Sequence, residues 1–439
     1  MTPAERPRAA GPLLEHLFRR QAGRMVSHFT RLLGPAHVSL AEDAVQEALL
    51  RALYAWPDQG IPENAAAWLF RVAHHIAIDA LRRDRLLGEK TEAMVAEFSR
   101  SAAPPADLAD LEEQLRDDEL RMIFMCCHPA LSRDASVALS LKTVGGFSVR
   151  EIARAFLAEE SAIAQRLVRA KRQIRDSGLT IEMPHGSELQ TRLAAVLDVI
   201  YFLFNEGYAA HEGDDLIRQD LGLEALRLGR LVAASSIATP RADALVALMA
   251  LQAARFPARV DEVGDLVLLE SQDRSRWDQM LIALGFHHFD RSIAGEEISE
   301  YHVQAAIAAT HARARDAQPV DWPMILHLYD QLLAINPSPV VALNRAVALA
   351  KVRGALEALA AIDALERDSK LAGYHLLLAV RGHLLLELDR KGEAAACFTA
   401  ALDLPCSEPE RRLLRRKLEA ARTAPPPAPD GAAAQGISM

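Results

Sequence analysis

Apolar residues recur every three or four positions along most of the chain, and few runs alternate with a period of two. A spacing of three to four places one face of a helix in the core, whereas a period of two is typical of strands. We therefore expect an all-α protein. In the N-terminal part this pattern predicts three helices, over residues 13–33, 40–54 and 65–83.

The helix over residues 40–54 has two distinct faces, because positions three and four apart lie on the same side of a helix. Its expected core stripe is Val45, Leu49, Ala52 and Leu53. Its other face carries Asp43, Gln46, Glu47, Leu50 and Arg51. We expect Trp56-Pro57 to end this helix and residues 58–63 to form a loop rich in proline and glycine.

The helix over residues 65–83 follows Asn64, which is a good N-cap residue. Its inward positions are Leu69, Val72, Ala73, Ile76 and Ala80. Its outward or boundary positions are Trp68, Arg71, His75, Asp79, Arg82 and Arg83. Taken alone, such a helix could belong to any helical bundle.

Residues 148–175 are predicted to form two short helices joined by a tight turn. Ser148 and Glu151 match the capping box S-x-x-E that begins many helices. The first helix has an apolar stripe of Ile152, Ala153 and Phe156. The second buries a seam of Ile163, Leu167, Ala170 and Ile174. The face opposite this seam carries Gln165, Val168, Arg169 and Arg172.

Charge distinguishes the second of these helices. Between Ser161 and Arg175 there are five basic residues and no acidic one. A helix with one buried seam and an uncompensated cationic face suits the phosphate-lined groove of DNA. The alternative is a solvated amphipathic helix in a bundle, although such helices usually carry both signs of charge.

The overall composition is that of an ordinary soluble protein. A length of 439 residues predicts about three domains. The formal net charge of −9 is unlike that of a DNA-binding protein, but it is unevenly distributed. Residues 89–119 hold ten acidic against three basic side chains. The acidity therefore lies outside the basic helix.

The cysteines and the apolar runs exclude several classes of protein. Cys126, Cys127, Cys397 and Cys406 lack the C-x-x-C spacing of a zinc site, and we expect no metal and no cofactor. Cys126-Cys127-His128 could suggest a metal, but its apolar neighbours favour a place in the core. No signal peptide is visible, and the longest apolar run is too short to span a membrane. We expect a cytoplasmic protein without a membrane partner.

Several motifs, in this order, resemble a known family. AEDAVQEALLRAL (41–53) is followed by PENAAAWLFRVAHHIAIDALRRDR (62–85), a polar linker and the motif at residues 148–175. This order resembles the extracytoplasmic-function (ECF) sigma factors, which are small relatives of the major bacterial sigma factor. The strings CCHPAL (126–131) and YFLFNEGY (201–208) resemble the subgroup with a long C-terminal extension, a domain of unknown function followed by tetratricopeptide-like helices.

The resemblance implies roles for the first sigma domain. Contacts with core RNA polymerase, on the clamp helices of its β′ subunit, would come from Asp43, Gln46, Glu47 and Arg51. Residues 58–64 would capture a base flipped from the −10 strand. Contacts with the −10 element would come from Asn64, Trp68, Arg71, His75, Arg82 and Arg83. Trp68 could stack on a base or be a core residue. His74-His75 departs from the usual Arg-Asn pair.

The resemblance also implies a linker and a second sigma domain. The acidic linker would follow the RNA exit path of the polymerase, and on composition alone it is a disordered tether. The second domain would begin with helices over residues 121–131 and 134–144, and the polymerase β flap is a further expected partner. Contacts with the −35 element would come from Ser161, Gln165, Arg166, Val168, Arg169 and Arg172. Ala164 replaces a residue that is often basic, so the base preference stays open.

The C-terminal half is not required by a minimal sigma factor. Residues 189–208 predict an apolar helix whose polar end could line a small-molecule pocket or be simply exposed. Residues 266–269 are a candidate extended segment, and residues 270–278 are interpreted as an ion-pair network or a docking loop. From residue 321 the pattern repeats, with Gly354 and Gly392 close to the tetratricopeptide period of 34 residues. Such an array offers a concave surface for a protein or peptide.

These observations divide the chain into seven expected segments. They are a disordered N-terminus (1–12), sigma region 2 (13–88), an acidic linker (89–116), sigma region 4 (117–178), a helical domain of unknown function (186–290), a tetratricopeptide-like domain (291–422) and a disordered tail (423–439).

The leading hypothesis is a non-enzymatic sigma factor whose C-terminal extension regulates it in cis. It would bind core RNA polymerase together with double- and single-stranded promoter DNA. One alternative is a helix-turn-helix regulator with a ligand- or protein-sensing helical domain. Another is an enzyme in the C-terminal half that uses Glu206 and Glu270, but no nucleophile elbow, metal-binding pair or phosphate loop supports it.

Overall fold

The computed structural model describes residues 10–83, 108–156, 158–179, 181–208, 218–314, 319–365, 371 and 373–423. In these ranges the regular structure is helical apart from one antiparallel bridge between Val260 and Leu266, so the all-α prediction is confirmed. The described α-helices are α1 (Ala10–Leu33), α2 (Val38–Gln59), α3 (Ala65–Arg83), α4 (Leu108–Cys126), α5 (Arg133–Thr143), α6 (Val149–Ala155), α7 (Glu160–Asp176), α8 (Gly186–Tyr208), α9 (Gln219–Ala233), α10 (Pro240–Ala253), α11 (Gln279–Ser292), α12 (Glu300–Arg313), α13 (Trp322–Ile335), α14 (Pro339–Arg353), α15 (Ala355–Leu365), α16 (His375–Glu387), α17 (Lys391–Leu402) and α18 (Glu408–Arg422).

The chain forms two compact units. The first contains the described residues of Met1–Gly207 and Asp220–Ala242, and the second those of Tyr208–Gln219 and Asp243–Met439. Helices α1 to α9 therefore lie in the first unit, apart from Tyr208 and Gln219, and helices α11 to α18 lie in the second.

In the first unit, α1 packs against α2, α3 and α4. The rings of Phe29 and Phe70 lie 5.2 Å apart in the core between α1 and α3. Gly23 of α1 faces the backbone of Val144, and a Cβ atom added to Gly23 would meet the Val144 carbonyl oxygen at 1.8 Å. Glycine is thus required where α1 meets the end of α5, because a larger residue would force the two apart.

Two predicted boundaries in this unit are wrong. Helix α2 continues through Trp56 and Pro57, and it ends only where Gly60 adopts a positive φ of 83°. Proline lies close enough to this end to be accommodated, and the Gly60 N–H still donates to the Trp56 carbonyl. Helix α4 begins at Leu108, well before the expected residue 121, so the end of the predicted linker is helical.

The second unit contains successive helical hairpins. Helices α14 and α16 begin at residues 339 and 375, and their partners α15 and α17 begin at 355 and 391, so both members recur after 36 residues. Gly354 makes the turn between α14 and α15 with a φ of 90°. Helices α12 and α13 precede these pairs and α18 follows them. One apolar core runs from α14 to α18, and a second joins α12, α13 and α14. We call α12 to α18 the helical array.

Candidate nucleic-acid and protein interfaces

Helices α6 and α7 form the predicted two-helix motif. The backbone N–H of Ser148 donates to Glu151 Oε2 at 2.7 Å, and the N–H of Glu151 donates to Ser148 Oγ at 3.1 Å, so the capping box is present. All four residues of the predicted seam of α7 are buried: Ile163, Leu167, Ala170 and Ile174. Burying each leucine or isoleucine contributes about 1.5–3 kcal/mol, which fixes the orientation of the opposite face.

That opposite face is directed to solvent. The side chains of Ser161, Gln165, Val168, Arg169 and Arg172 are exposed, and Val168 has 65% of its surface accessible. A single exposed apolar side chain is common on protein surfaces, so it is the polar and basic neighbours of Val168 that make this face a candidate interface. Within the described residues no carboxylate lies within ion-pair distance of Arg169, whereas Arg172 pairs with Asp176 at 3.2 Å.

Arg166 differs from the other basic residues of α7. Its guanidinium lies 5.3 Å from the centre of the Phe156 ring and 3.7 Å from an Asp134 carboxylate oxygen. It is only 28% exposed, so it stabilises the packing of α6 and α5 against α7. A role at phosphate would require it to leave these contacts.

The candidate polymerase-binding face of α2 is also at the surface. Asp43, Gln46 and Arg51 are exposed, Glu47 is partly exposed, and Arg51 Nε donates to Glu47 Oε1 at 3.0 Å.

The expected place of Leu53 in the core of α2 is wrong. Its side chain is 54% exposed, next to Leu50 and the 81% exposed Tyr54. Alanines take the buried positions instead, because α1 and α3 pack closely on α2. Sequence reasoning therefore missed an apolar patch on α2, formed by Leu50, Leu53 and Tyr54.

Helix α3 begins as predicted. Asn64 Oδ1 accepts a hydrogen bond from the N–H of Ala67 at 2.9 Å, so Asn64 is the N-cap. Trp68 is half-buried, with its ring 5.6 Å from that of the buried Trp56 in an edge-to-face contact. The exposed positions on this helix include Arg71, His75 and Arg82. The side chain of Arg83 lies outside the described residues, as do residues 84–107 of the predicted linker.

Two adjacent carboxylates of α4 contact basic side chains of α1. Asp118 is buried and lies 2.7 Å from His28 Nδ1 and 2.6 Å from Arg31 Nε, both on α1. Glu119 is fully buried and lies 3.8 Å from Arg24, also on α1. In the sequence both acids belong to the acidic stretch 89–119, at the start of the expected second sigma domain, and no partner was expected for them. The signal for this contact was the spacing of Arg24, His28 and Arg31, which lie on one face of α1.

A further ion pair connects α2 and α7. Lys171 Nζ lies 2.5 Å from Glu42 Oε2, and both side chains are largely buried. The pair therefore links the candidate polymerase-binding helix to the candidate recognition helix within the first unit.

The first helices of the C-terminal extension also pack in this unit. Arg192 of α8 donates to the Phe124 carbonyl oxygen at 2.6 Å. Arg227 of α9 donates to Glu119 Oε1 at 2.7 Å. Burial alone would lower the pKa of Arg227, but Glu224 and Glu119 raise it, so this arginine stays charged. Glu119 thus has cations from both α1 and α9 beside it.

Tyr208, which belongs to the second unit, contacts two arginines of that unit. Arg255 Nη1 donates to the Tyr208 hydroxyl at 2.9 Å, and the guanidinium of Arg259 stacks on the Tyr208 ring at 3.9 Å. Burial alone would raise the pKa of Tyr208, but the charges of Arg255 and Arg259 lower it. A cavity of about 400 Å³ in the same unit is lined by other residues.

The acids of residues 270–278 act as helix caps and as anchors to other elements. Asp278 Oδ1 accepts from the N–H groups of Met280 and Leu281, and Asp273 Oδ1 accepts from that of Ser275. Glu270 reaches Lys351 of α14. The buried Trp277 packs under Arg274, whose guanidinium lies 4.7 Å from its ring centre.

Cys126 and Cys127 lie in the core, as their apolar neighbours predicted. Cys126 Sγ is 3.3 Å from Thr143 Oγ1. Burial raises the pKa of Cys126 to about 12 and that of Cys127 above its ordinary value. Among the described residues no cluster of histidine, cysteine and acidic side chains could hold a metal ion. No described helix is long and apolar enough to span a membrane.

Comparison with known families agrees with this arrangement. Residues 17–86 match sigma-70 region 2, residues 121–174 match sigma-70 region 4, and residues 192–293 match a family of unknown function, DUF6596. The helices of the two sigma matches are those that carry the candidate interfaces.

Two relatives extend the comparison. An uncharacterized protein of Rhizobium meliloti (strain 1021) is 41% identical over 384 residues, which cover 87% of this chain and 90% of that protein. The ECF RNA polymerase sigma-E factor of Escherichia coli (strain K12) is 27% identical over 134 residues, which cover 30% of this chain and 70% of that protein. No solved structure matches the chain.

The chain belongs to the ECF sigma factors of the sigma-70 family, in the group with a long C-terminal extension. As a sigma factor it binds core RNA polymerase and promoter DNA, and sigma factors are transcription factors rather than enzymes.

Proposed function

We propose that α7 reads the −35 element through its exposed face. Gln165 and Arg169 have the side chains that pair with adenine and guanine edges in the major groove, and Val168 offers an apolar contact. Arg172 and Ser161 lie at the ends of the same face, where phosphates flank the bases. The observation that carries this proposal is the exposure of this face above a fully buried seam.

On the same basis, α3 contacts the −10 element through Arg71, His75 and Arg82, with Asn64 at its start. Arg83 is proposed from sequence alone. The half-buried Trp68 keeps one edge available for a base while Trp56 holds the other. Binding of single-stranded bases to aromatic rings and arginines is common in such surfaces. This promoter-binding activity would take place in the cytoplasm.

Helix α2 docks on the β′ clamp helices of core polymerase, and the second sigma domain on the β flap. The apolar patch on α2 gives the contact a core, and Asp43, Gln46, Glu47 and Arg51 form its polar rim. A Leu53→Ser variant should bind core polymerase at least tenfold more weakly with little change in thermal stability. Leu223→Ser, at a similarly exposed leucine of α9, is the control. Equal affinity of both variants would argue against this docking face.

The C-terminal extension regulates promoter output in cis. The observation that supports this proposal is the pair between Arg227 of the extension and the buried Glu119 of sigma region 4, whose carboxylate also lies near Arg24 of region 2. A movement of the extension that displaced Arg227 would therefore change the charges around Glu119 and its contact with Arg24.

In vitro transcription with core polymerase on a promoter library tests this role. Arg227→Gln removes the charge that reaches Glu119, and Arg230→Gln removes an exposed charge from the same helix as a control. We expect a severalfold change in output for Arg227→Gln alone. A chain that ends at residue 185 should also differ from the full-length protein. Unchanged output in both experiments would exclude regulation in cis.

A further inference from the structure

The helical array has a concave face with a cavity of about 400 Å³. Helices α14, α16 and α18 each contribute one stripe of side chains at helical spacing. Val347 and Lys351 come from α14, Val380 and His383 from α16, and Leu413 from α18. Most of the lining is apolar, and its charged groups include Glu270, Lys351 and Lys417. Apolar clefts of this size with a few polar groups are typical of ligand-binding sites.

A segment of the same chain already lies against this face. Residues 264–270, with the sequence GDLVLLE, form what we call the internal segment. Leu266, Leu268 and Leu269 line the cavity. The backbone of Leu268 is extended, with φ −63° and ψ 148°, and the N–H of Val267 donates to the Arg259 carbonyl at 2.9 Å. The sequence had indicated an extended segment here, but not its location.

Ion pairs hold the internal segment to the array at both ends. At its start, Asp265 pairs with Arg412 and lies 2.9 Å from Arg416, both on α18. Arg412 Nη2 also donates to the Gly264 carbonyl at 2.8 Å. At its end, Glu270 lies 2.9 Å from Lys351 of α14. The cations of the array are therefore spaced to receive two carboxylates five residues apart.

The two anchors differ in exposure. Glu270 is about half exposed, and ion pairs of this kind contribute little to stability, whereas Asp265 is only 15% exposed and lies beside two arginines. The Leu268 side chain is 44% exposed, so the contact leaves apolar surface accessible. A separate peptide that offered the same groups could therefore compete with the internal segment.

We propose that the concave face of the array is a peptide-binding groove and that residues 264–270 occupy it as an internal ligand. The external partner is an extended peptide of the same chemistry, a leucine-rich run with a carboxylate at each end. Because the internal segment is tethered, its effective concentration is in the millimolar range, and it excludes weak competitors. This inference goes beyond promoter recognition and does not depend on it.

Fluorescence anisotropy with a labelled synthetic peptide, residues 263–272 of this chain, tests the proposal on the full-length protein. The native chain should bind the peptide weakly. The double variant Asp265→Asn and Glu270→Gln releases the internal segment but keeps Arg412, Arg416 and Lys351. It should bind the peptide at least tenfold more tightly than the native chain.

Charge on the peptide and on the groove provides the controls. A peptide with asparagine and glutamine at the two acidic positions should bind the double variant at least tenfold more weakly. Adding Lys351→Glu and Arg416→Glu should abolish binding of the acidic peptide and favour one with lysine at both positions. If the folded double variant binds no better than the native chain, the internal segment is an ordinary part of the wall and the proposal is wrong.

Hydrogen exchange on the native chain gives a test that needs no variant. A displaceable segment opens locally, so the amide of Val267 should exchange faster than the buried amides of α14 and α16. Excess acidic peptide should increase this exchange further. Exchange of Val267 at the rate of the helix cores, unaffected by the peptide, would overturn the proposal.

Discussion

Helices α7 and α18 are both basic and both amphipathic, yet their charges have different partners. Helix α7 buries Ile163, Leu167, Ala170 and Ile174, and helix α18 buries Pro409, Leu414, Leu418 and Ala421. In α18, Arg411 and Arg415 pair with Glu408, and Arg412 and Arg416 pair with Asp265. In α7, no described acid lies within ion-pair distance of Arg169.

The comparison shows that a high density of positive charge does not by itself mark a DNA-binding helix. What distinguishes α7 is that Arg169, at the centre of its exposed face, has no acid within ion-pair distance in the part of the chain that the structure describes. The ion pairs of α7 join Arg166 to Asp134, Lys171 to Glu42, and both Arg172 and Arg175 to Asp176 at the end of the helix. Helix α18 uses its charges to hold part of its own unit.

Each of the two helices has a buried seam, and a substitution in either seam should have the largest effect. Leu167 and Leu414 are each only 4% exposed, and replacing either with alanine should destabilise its unit by about 2–5 kcal/mol. Urea unfolding measures both changes. Leu167→Ala should also lower promoter binding by the holoenzyme, whereas Leu414→Ala should not. A loss below about 1 kcal/mol in either unit would contradict the packing described.

A smaller effect should distinguish the exposed face of α7 from that of α18. Arg169→Ala should weaken binding of the holoenzyme to promoter DNA by about 1–3 kcal/mol, because it removes a contact to base edges. Arg416→Ala removes an exposed charge from α18 and should leave DNA affinity unchanged. Titration of labelled promoter DNA at fixed salt measures both. Equal losses would mean that α7 acts only through its charge.

The smallest effect should come from the helix starts. The N-cap of α18 is Ser407, whose hydroxyl and N–H both bond to Glu410 at 2.7 and 2.9 Å. The N-cap of α7 is Glu159, whose side chain makes no capping hydrogen bond. Ser407→Ala should cost about 1 kcal/mol, and Glu159→Ser should stabilise α7 by up to about 1 kcal/mol. If thermal unfolding shows that both variants are stabilised, or that both are destabilised, the assigned N-caps are wrong.

Periodicity predicted the local structure of the candidate sites closely. The seam of α7, the capping box of Ser148 and Glu151, and the Asn64 cap of α3 all follow from interactions within a few residues. Such interactions are visible in a single sequence because helix geometry fixes their spacing. The residues proposed to contact DNA and polymerase remain predictions, although most of those whose side chains are described lie at least partly at the surface.

The contacts between distant segments could not be predicted in the same way. Leu53 was misplaced because the close approach of α1 and α3 selects alanine for the buried face of α2, and hydrophobicity alone ranks leucine higher. Asp118 and Glu119 belong to the acidic stretch 89–119, and only the fold shows that α1 lies beside them. An extended segment was expected at residues 266–269, but a 3-10 helix begins at Leu269, and the partners Lys351 and Arg412 lie about 80 and 150 residues away.

The burial of the cysteines has a practical consequence for spectroscopy. Maleimide dyes react with thiolates, and the raised pKa values of Cys126 and Cys127 keep these two buried groups protonated. Cys397 and Cys406 are buried as well. A cysteine introduced at an exposed position such as Asp43 or Arg172 would therefore be labelled selectively in the otherwise native chain. A dye pair at these two positions would report the separation of α2 and α7 in real time as polymerase binds.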